Sequence, residues 1–139
     1  MRDKTVKLFS DGACRGNPGM GGAGAVITDE ADNILWEEKE YLGHCTNNIA
    51  EYKALILGLK GARVLGFTQL DVYLDSELLA NQINGSYKVK NENLKVLMQE
   101  VRGLLSSFKS VQVKHVLRCQ NSQADKMANL AIDENQKIP

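Results

Sequence analysis

The chain predicts an α/β fold built on a mixed sheet with helices on its faces. Strand-like segments crowd its first third, an apolar stripe at helical spacing follows, and short apolar runs then return between further helical segments. The element order is βββαβααβα.

Residues 4–10 read as the first strand, and the glycine-rich stretch from Gly12 to Gly24 is expected to turn the chain into a second, residues 25–28. A third strand, residues 34–42, would pair with the second across the turn at 29–33 and complete an antiparallel meander. Over residues 48–65, Tyr52, Leu55, Ile56, Leu59 and Ala62 recur every three or four positions, the mark of a helix with one buried face, and Gly66 supplies its stop. Residues 70–74 form a short strand of the buried type. Residues 77–83 and 93–107 read as helices separated by the polar segment NGSYKVKN, and residues 111–116 as the last strand. Over residues 122–134, Ala124, Met127, Ala128 and Ala131 define a final amphipathic helix. The closing residues NQKIP are expected to form a frayed tail, from about residue 136 onward. No repeat, low-complexity tract or linker interrupts this plan, so residues 1–139 are expected to form one domain.

With 139 residues, 43% of them apolar and 24% charged, the chain can bury a core and is too apolar for disorder. No apolar run approaches the roughly 20 residues that cross a bilayer, and the start MRDKTVKLFS lacks the apolar core of a signal peptide. A cytoplasmic protein with no membrane partner is the expectation. Cys14, Cys45 and Cys119 are odd in number and form no CxxC pair, which disfavours a disulfide framework or a zinc knuckle and favours reduced thiols. The 17 Lys and Arg balance 17 Asp and Glu, whereas domains that depend on phosphate contacts usually carry a basic excess. An acidic metal site beside a local basic strip could still hold a polyanion at net charge zero.

Four acidic residues stand in distinctive contexts: Asp11 in FSDGACRGNPG, Glu51 in TNNIAEYKAL, Asp75 in VYLDSELL and Asp125 in NSQADKMANLA. If a fold brings them together, hard oxygen donors of this kind suit Mg²⁺ or Mn²⁺. Each also has a plainer reading. Asp11 and Asp75 end predicted strands, where open α/β sheets place ligand crevices, but Asp11-Gly12 is a turn dipeptide and Asp75 precedes a helix that it could cap. Glu51 lies near the apolar stripe, where a buried charge needs a cation to face it; otherwise it reaches solvent or a lysine at the stripe's edge. Ser122 and Asp125 fit a capping box. Gly19, Gly21 and Gly24 match GxGxxG, but a strand follows instead of a helix, so the free amides that bind a dinucleotide pyrophosphate are missing and a glycine-rich turn is the better reading.

Taken together, FSDGACRGNPGMGGAGAVI, TNNIAEYKALILGL, VYLDSELLANQI and HVLRCQNSQADKMANLA resemble type 1 ribonuclease H, the enzymes that cut the RNA strand of RNA/DNA hybrids. The similarity spans essentially the whole chain, and DG-x-x-x-GNPG, TNN-x-x-E, DS and N-x-x-AD in this order are specific as a set. It implies a five-stranded ribonuclease H-like sheet, three strands antiparallel and two parallel, flanked by helices. Asp11, Glu51, Asp75 and Asp125 then match carboxylates that hold two Mg²⁺ ions, with Mn²⁺ as an alternative, about the scissile phosphate, and the products would carry 5′-phosphate and 3′-hydroxyl ends. Crowded carboxylates repel one another without metal, so metal binding would be linked to proton release. Asn17, Asn47 and Asn48 match positions that touch RNA sugars, where an amide can donate to and accept from a 2′-hydroxyl; turn and cap duty is their plainer role. Thr46 and Asn91 match positions that grip a DNA phosphate without reading bases.

Two departures matter. Many relatives carry a long basic, tryptophan-bearing insertion where this chain has only NGSYKVKN with Lys88 and Lys90, so the chain resembles the short archaeal and bacterial branch, with fewer phosphate contacts and a shallower salt dependence implied. Trp36, in a predicted strand, is read as packing. The last loop, VKHVLRCQN, is short; His115 is expected to finish a strand, and Arg118, an always-charged fork close to Asp125, is favoured for the role that a loop histidine plays in relatives. His44 is expected in a loop.

The leading expectation is a hybrid-specific endonuclease, monomeric and without an obligate protein partner. A non-catalytic nucleic-acid-binding relative would gain nothing from concentrated negative charge where phosphates approach. A transposase or junction-resolvase core of the same fold would leave Asn17 and Asn47 without a purpose.

Overall fold

The structure, a computed structural model, describes residues 4–136. Alternation of apolar and polar side chains puts Val6 and Leu8 into the core from strand β1 (Thr5–Arg15). β2 (Gly19–Thr28) and β3 (Ile34–Cys45) follow as an antiparallel meander. Helix α1 (Asn47–Val64) leads to β4 (Gln69–Leu74), then α2 (Glu77–Ile83), α3 (Glu92–Leu105), β5 (Ser110–His115), a short 3₁₀ turn at Arg118–Asn121 and α4 (Ser122–Gln136). The sheet order is β3-β2-β1-β4-β5, with β1–β4 and β4–β5 parallel, so the expected five-stranded mixed sheet is the one observed.

Helix α1 starts where the Thr46 hydroxyl accepts from the Ile49 amide at 3.3 Å, and stops as Gly66 takes a left-handed φ of 85°. Tyr52, Leu55, Ile56, Leu59 and Ala62 are all buried against the sheet, as their spacing predicts. Burying each such leucine contributes about 1.5–3 kcal/mol. Leu94, Met98, Val101 and Leu104 of α3 join the same core, and Trp36 packs over Gly61 of α1 as expected. The buried hydroxyl of Tyr52 donates to Gln82 Oε1 at 2.6 Å, fixing α1 to α2. Helix α4 covers the other face: Ala25 meets Gly58 of α1, whereas the alternate position Gly24 meets Ala124 and Ala128.

The glycine-rich segment is where local reading and structure part. β1 does not end at residue 10 but runs through Asp11 and Gly12 to Arg15, and β2 begins at Gly19, not at 25; the ladder pairs Asp11 with Gly24 and Gly12 with Ala23. These glycines serve close approach of helices, not turning. A Cβ on Gly12 would collide with the Ala50 carbonyl, and one on Gly24 with that of Ala124. Gly19, Gly21 and Gly24 lie inside β2, so the turn assigned to them is confined to residues 16–18. His44 likewise belongs to β3, which extends three residues beyond the expected end because Cys45 pairs with Gly19. At the other terminus, Asn135 and Gln136 are helical, since Arg15 bonds Gln136 Oε1 at 3.2 Å and pairs with Asp133 at 2.7 Å; the rest of the expected frayed tail lies outside the described residues. All three cysteines are free thiols, and no described helix is long and apolar enough to cross a membrane.

Candidate active site

The parallel register of β1 and β4 sets Phe9 opposite Tyr73, and their rings stack 5.0 Å apart. Side chains repeat every second residue along a strand, so Asp11 and Asp75, each two positions further on, emerge on that same face just past the end of the ladder. Asp11 therefore lies inside a strand and not at its end, but at a crevice where the β1–β4 pairing stops. Glu51 reaches the pair from the second turn of α1, across Gly12, and its Oε1 accepts the Gly12 amide. The carboxylate oxygens of Asp11, Glu51 and Asp75 come within 4.8 Å of one another.

None of the plainer readings describes these three residues. Ser76, not Asp75, caps α2, its hydroxyl accepting from the Leu79 amide at 3.2 Å. Asp11 makes no turn. Glu51 faces inward to Gly12 instead of outward to a lysine. Asp75 Oδ2 is held by the side-chain amide of Asn121 at 3.1 Å, and the same nitrogen donates to the Ser10 carbonyl at 2.9 Å. The sequence reading assigned Asn121 no role, although it is the Asn of the N-x-x-AD motif.

Asp125 falls outside the group whose oxygens are all mutually within 4.8 Å, but it neighbours Asp11 and lines the same cleft, about 510 Å³ in volume, with Ser76, Asn129 and Arg118. The amide of Asn129 donates to the Asp125 backbone carbonyl at 3.0 Å and to its Oδ1 at 3.4 Å, and Arg118 Nη2 lies 3.7 Å from that oxygen. Among the described residues no hydrogen bond joins Ser122 to Asp125, so the capping box is not formed.

Burial pushes the Asp11 carboxyl far above its ordinary range, with the charge and hydrogen bond of Glu51, then Asp75 and Asp125, adding to the rise. Burial also raises Glu51, against hydrogen bonds from Asp11 and from the Gly12 amide that favour its ionised form. Both carboxyls are thus held above their ordinary range, and the crowded pair resists full ionisation. The donor set is all carboxylate oxygen and cannot ionise fully without a compensating cation, which fits Mg²⁺ or Mn²⁺.

The remaining expected residues distribute around this centre. Asn47 and Asn48 line the cleft, and Asn17 Oδ1 accepts the Asn47 amide at 3.1 Å, tying the turn at residues 16–18 to the start of α1. Thr46 and Asn91 lie outside the cleft lining and cap α1 and α3; Asn91 Oδ1 accepts from Asn93 and Leu94. Arg118, 83% exposed, lines the cleft from the 3₁₀ turn, while His115 ends β5 and does not. Lys88 and Lys90 are exposed on the link between α2 and α3.

A family model described as reverse transcriptase-like matches residues 9–131. A bifunctional protein of Mycobacterium tuberculosis is 42% identical over 129 residues, 92% of this chain but only 35% of that protein, so the chain spans about a third of the mycobacterial relative's length. Ribonuclease HI of Halobacterium salinarum is 36% identical over 133 residues, 96% of this chain and 67% of that protein. The crystal structure of LC11-RNase H1 in complex with an RNA/DNA hybrid superposes with a TM-score of 0.91 at 37% identity, covering 95% of this chain and 99% of that one.

Proposed function

This chain belongs to the type 1 ribonuclease H family, and from that membership we propose that it hydrolyses the RNA strand of RNA/DNA hybrids. The convergence of Asp11, Glu51 and Asp75 within 4.8 Å carries the reading, because a bound cation would relieve the crowding of ionised carboxylates and could then bind a phosphate. These three residues, with Asp125 at the rim, would hold two divalent ions. When bound, such ions supply an activated water and charge neutralisation at the scissile phosphate, giving 5′-phosphate and 3′-hydroxyl products.

The chain's own groups bind and orient the substrate. Asn47 and Asn48 offer amides at the cleft edge that can both donate to and accept from a 2′-hydroxyl, and Asn17 holds the Asn47 backbone in place. The Thr46 oxygen is engaged by the Ile49 amide, which leaves its O–H free to donate to a phosphate; the Asn91 oxygen is engaged twice, which leaves its NH₂ free. Arg118 presents a charged fork to a phosphate oxygen beside Asp125, and it stands where His115 cannot. None of these contacts reads a base edge, so cutting is independent of sequence. A monomer acting in the cytoplasm completes the reading.

The test is cleavage of a labelled hybrid with Mg²⁺ or Mn²⁺, beside matched RNA/RNA and DNA/DNA duplexes and an Asp75→Asn variant. Metal-dependent cutting of the RNA strand in the hybrid alone, abolished by the substitution, is expected. Hybrid binding without cutting would replace the proposal with a non-catalytic binding module.

A further inference from the structure

Asn121 is 1% exposed, and its side chain is placed where no ordinary packing need would put an amide. Its Nδ2 donates 2.9 Å to the Ser10 carbonyl, one residue before Asp11, and 3.1 Å to Asp75 Oδ2. Both acceptors are oxygens, so the NH₂ and not the carbonyl end must face them. The cost of this placement is visible on the other side of the group: Asn121 Oδ1 is buried and has no hydrogen-bond partner among the described residues. A side chain chosen for stability alone would not leave a buried acceptor orphaned.

We propose that Asn121 is a positioning residue that braces Asp75 against β1, setting the Asp11–Asp75 spacing before any cation arrives. This rests on the cation-binding reading of the cluster given above. The brace acts at the end of the backbone ladder, where the two carboxylates emerge. The Cα pairing of β1 with β4 stops at Phe9 and Tyr73, so Asp11 and Asp75 both lie beyond the last paired residues. One nitrogen with two protons bridges the gap, from a 3₁₀ turn placed by the first residues of α4. Oxygen ligands that bind Mg²⁺ need near-ideal placement, and groups that orient ligands from behind typically alter metal affinity 10–100-fold when removed. Asp125 belongs to the same element pair, four residues further on, so the 3₁₀ turn and α4 present one carboxylate and orient another.

Calorimetric titration of the substrate-free protein with Mn²⁺, and its melting in EDTA, separate positioning from mere structural support. Asn121→Asp keeps the shape but replaces the donors with acceptors, and Asn121→Ser shortens the group. Metal affinity weaker by about 10-fold or more in folded variants, beyond any change in melting temperature, is expected. A variant that melts lower but binds Mn²⁺ as the parent does would overturn the proposal. Should both variants fail to fold, ¹H–¹⁵N spectra of the parent decide: slow exchange of both Asn121 side-chain protons in EDTA supports the brace, and rapid exchange removes it. Absence of Mn²⁺ binding by the parent would instead overturn the cation-binding reading itself, leaving the amide exchange to judge the brace.

Discussion

Glu51 accepts a hydrogen bond from the backbone amide of Gly12, so helix α1 is joined to strand β1 at the residue next to Asp11. The contact exists because position 12 has no side chain: a Cβ there would press into the Ala50 carbonyl and the Glu51 nitrogen. Packing and site geometry are thus one feature. Gly12→Ala should push α1 outward, costing about 1–3 kcal/mol in urea unfolding. Activity per folded molecule should fall as well; unchanged activity would show that Glu51 can relocate without consequence.

Asp11 and Glu51 are both raised above their ordinary values of 3.8 and 4.5. A carboxyl raised in the folded state stabilises fully below its unfolded value, and that contribution is lost as pH climbs through the folded value. The metal-free protein is therefore expected to lose stability from this site as pH rises above about 4 through neutrality. Asp11→Asn should flatten that trend and stabilise the metal-free protein at pH 7 by about 1–3 kcal/mol, while abolishing cleavage. Melting curves in EDTA across pH 4–8 read the result, and a steeper profile in the variant would contradict it.

Because Asp11 and Glu51 are both raised, metal binding is expected to release protons from the cluster. Titration of Mg²⁺ at constant pH in buffers of different ionisation enthalpy should give heats that scale with the buffer. Saturating ion should also raise the melting temperature, by about 2.7 kcal/mol of stability at 100-fold over the dissociation constant. Heats independent of buffer would mean that the carboxylates are already fully ionised.

Arg118 is 83% exposed and 3.7 Å from Asp125, a pair worth less than about 1 kcal/mol. Arg118→Ala should leave the melting temperature unchanged and reduce turnover on the order of 100-fold. His115→Ala should leave both unchanged. The reverse pattern would move the role to the end of β5.

Tyr52 and Gln82 offer a control remote from chemistry. Tyr52→Phe strips the donor from a buried 2.6 Å bond and leaves Gln82 Oε1 unpaired, which should cost about 1–3 kcal/mol without changing cleavage by the folded fraction.

Much of the fold was legible in the linear pattern because helix and strand periodicities are local. The stripe from Tyr52 to Ala62, the short strand before Asp75 and the exact span of α2 follow from side-chain spacing alone. The motifs around Asp11, Glu51, Asp75 and Asp125 also identified the candidate carboxylates through their family resemblance. Choosing between a cap and a ligand was beyond any local rule. Ser76 or Asp75 could each cap α2, and Ser122 with Asp125 forms a valid capping box on paper, because capping depends on a few torsion angles that composition leaves open.

The glycines show the boundary most clearly. Gly12 and Gly24 look like turn residues to any local reading, yet they sit in paired strands because α1 and α4 need their backbones bare. Residue types and their spacing carry the strands, the helices and the chemical identity of the donors, since these depend on neighbours a few positions away. The placement of Asp11 beside Asp75 and Glu51, the partial separation of Asp125 and the brace from Asn121 arise only when segments 40 to 110 residues apart are packed together, where close approach and buried hydrogen bonding override local propensity.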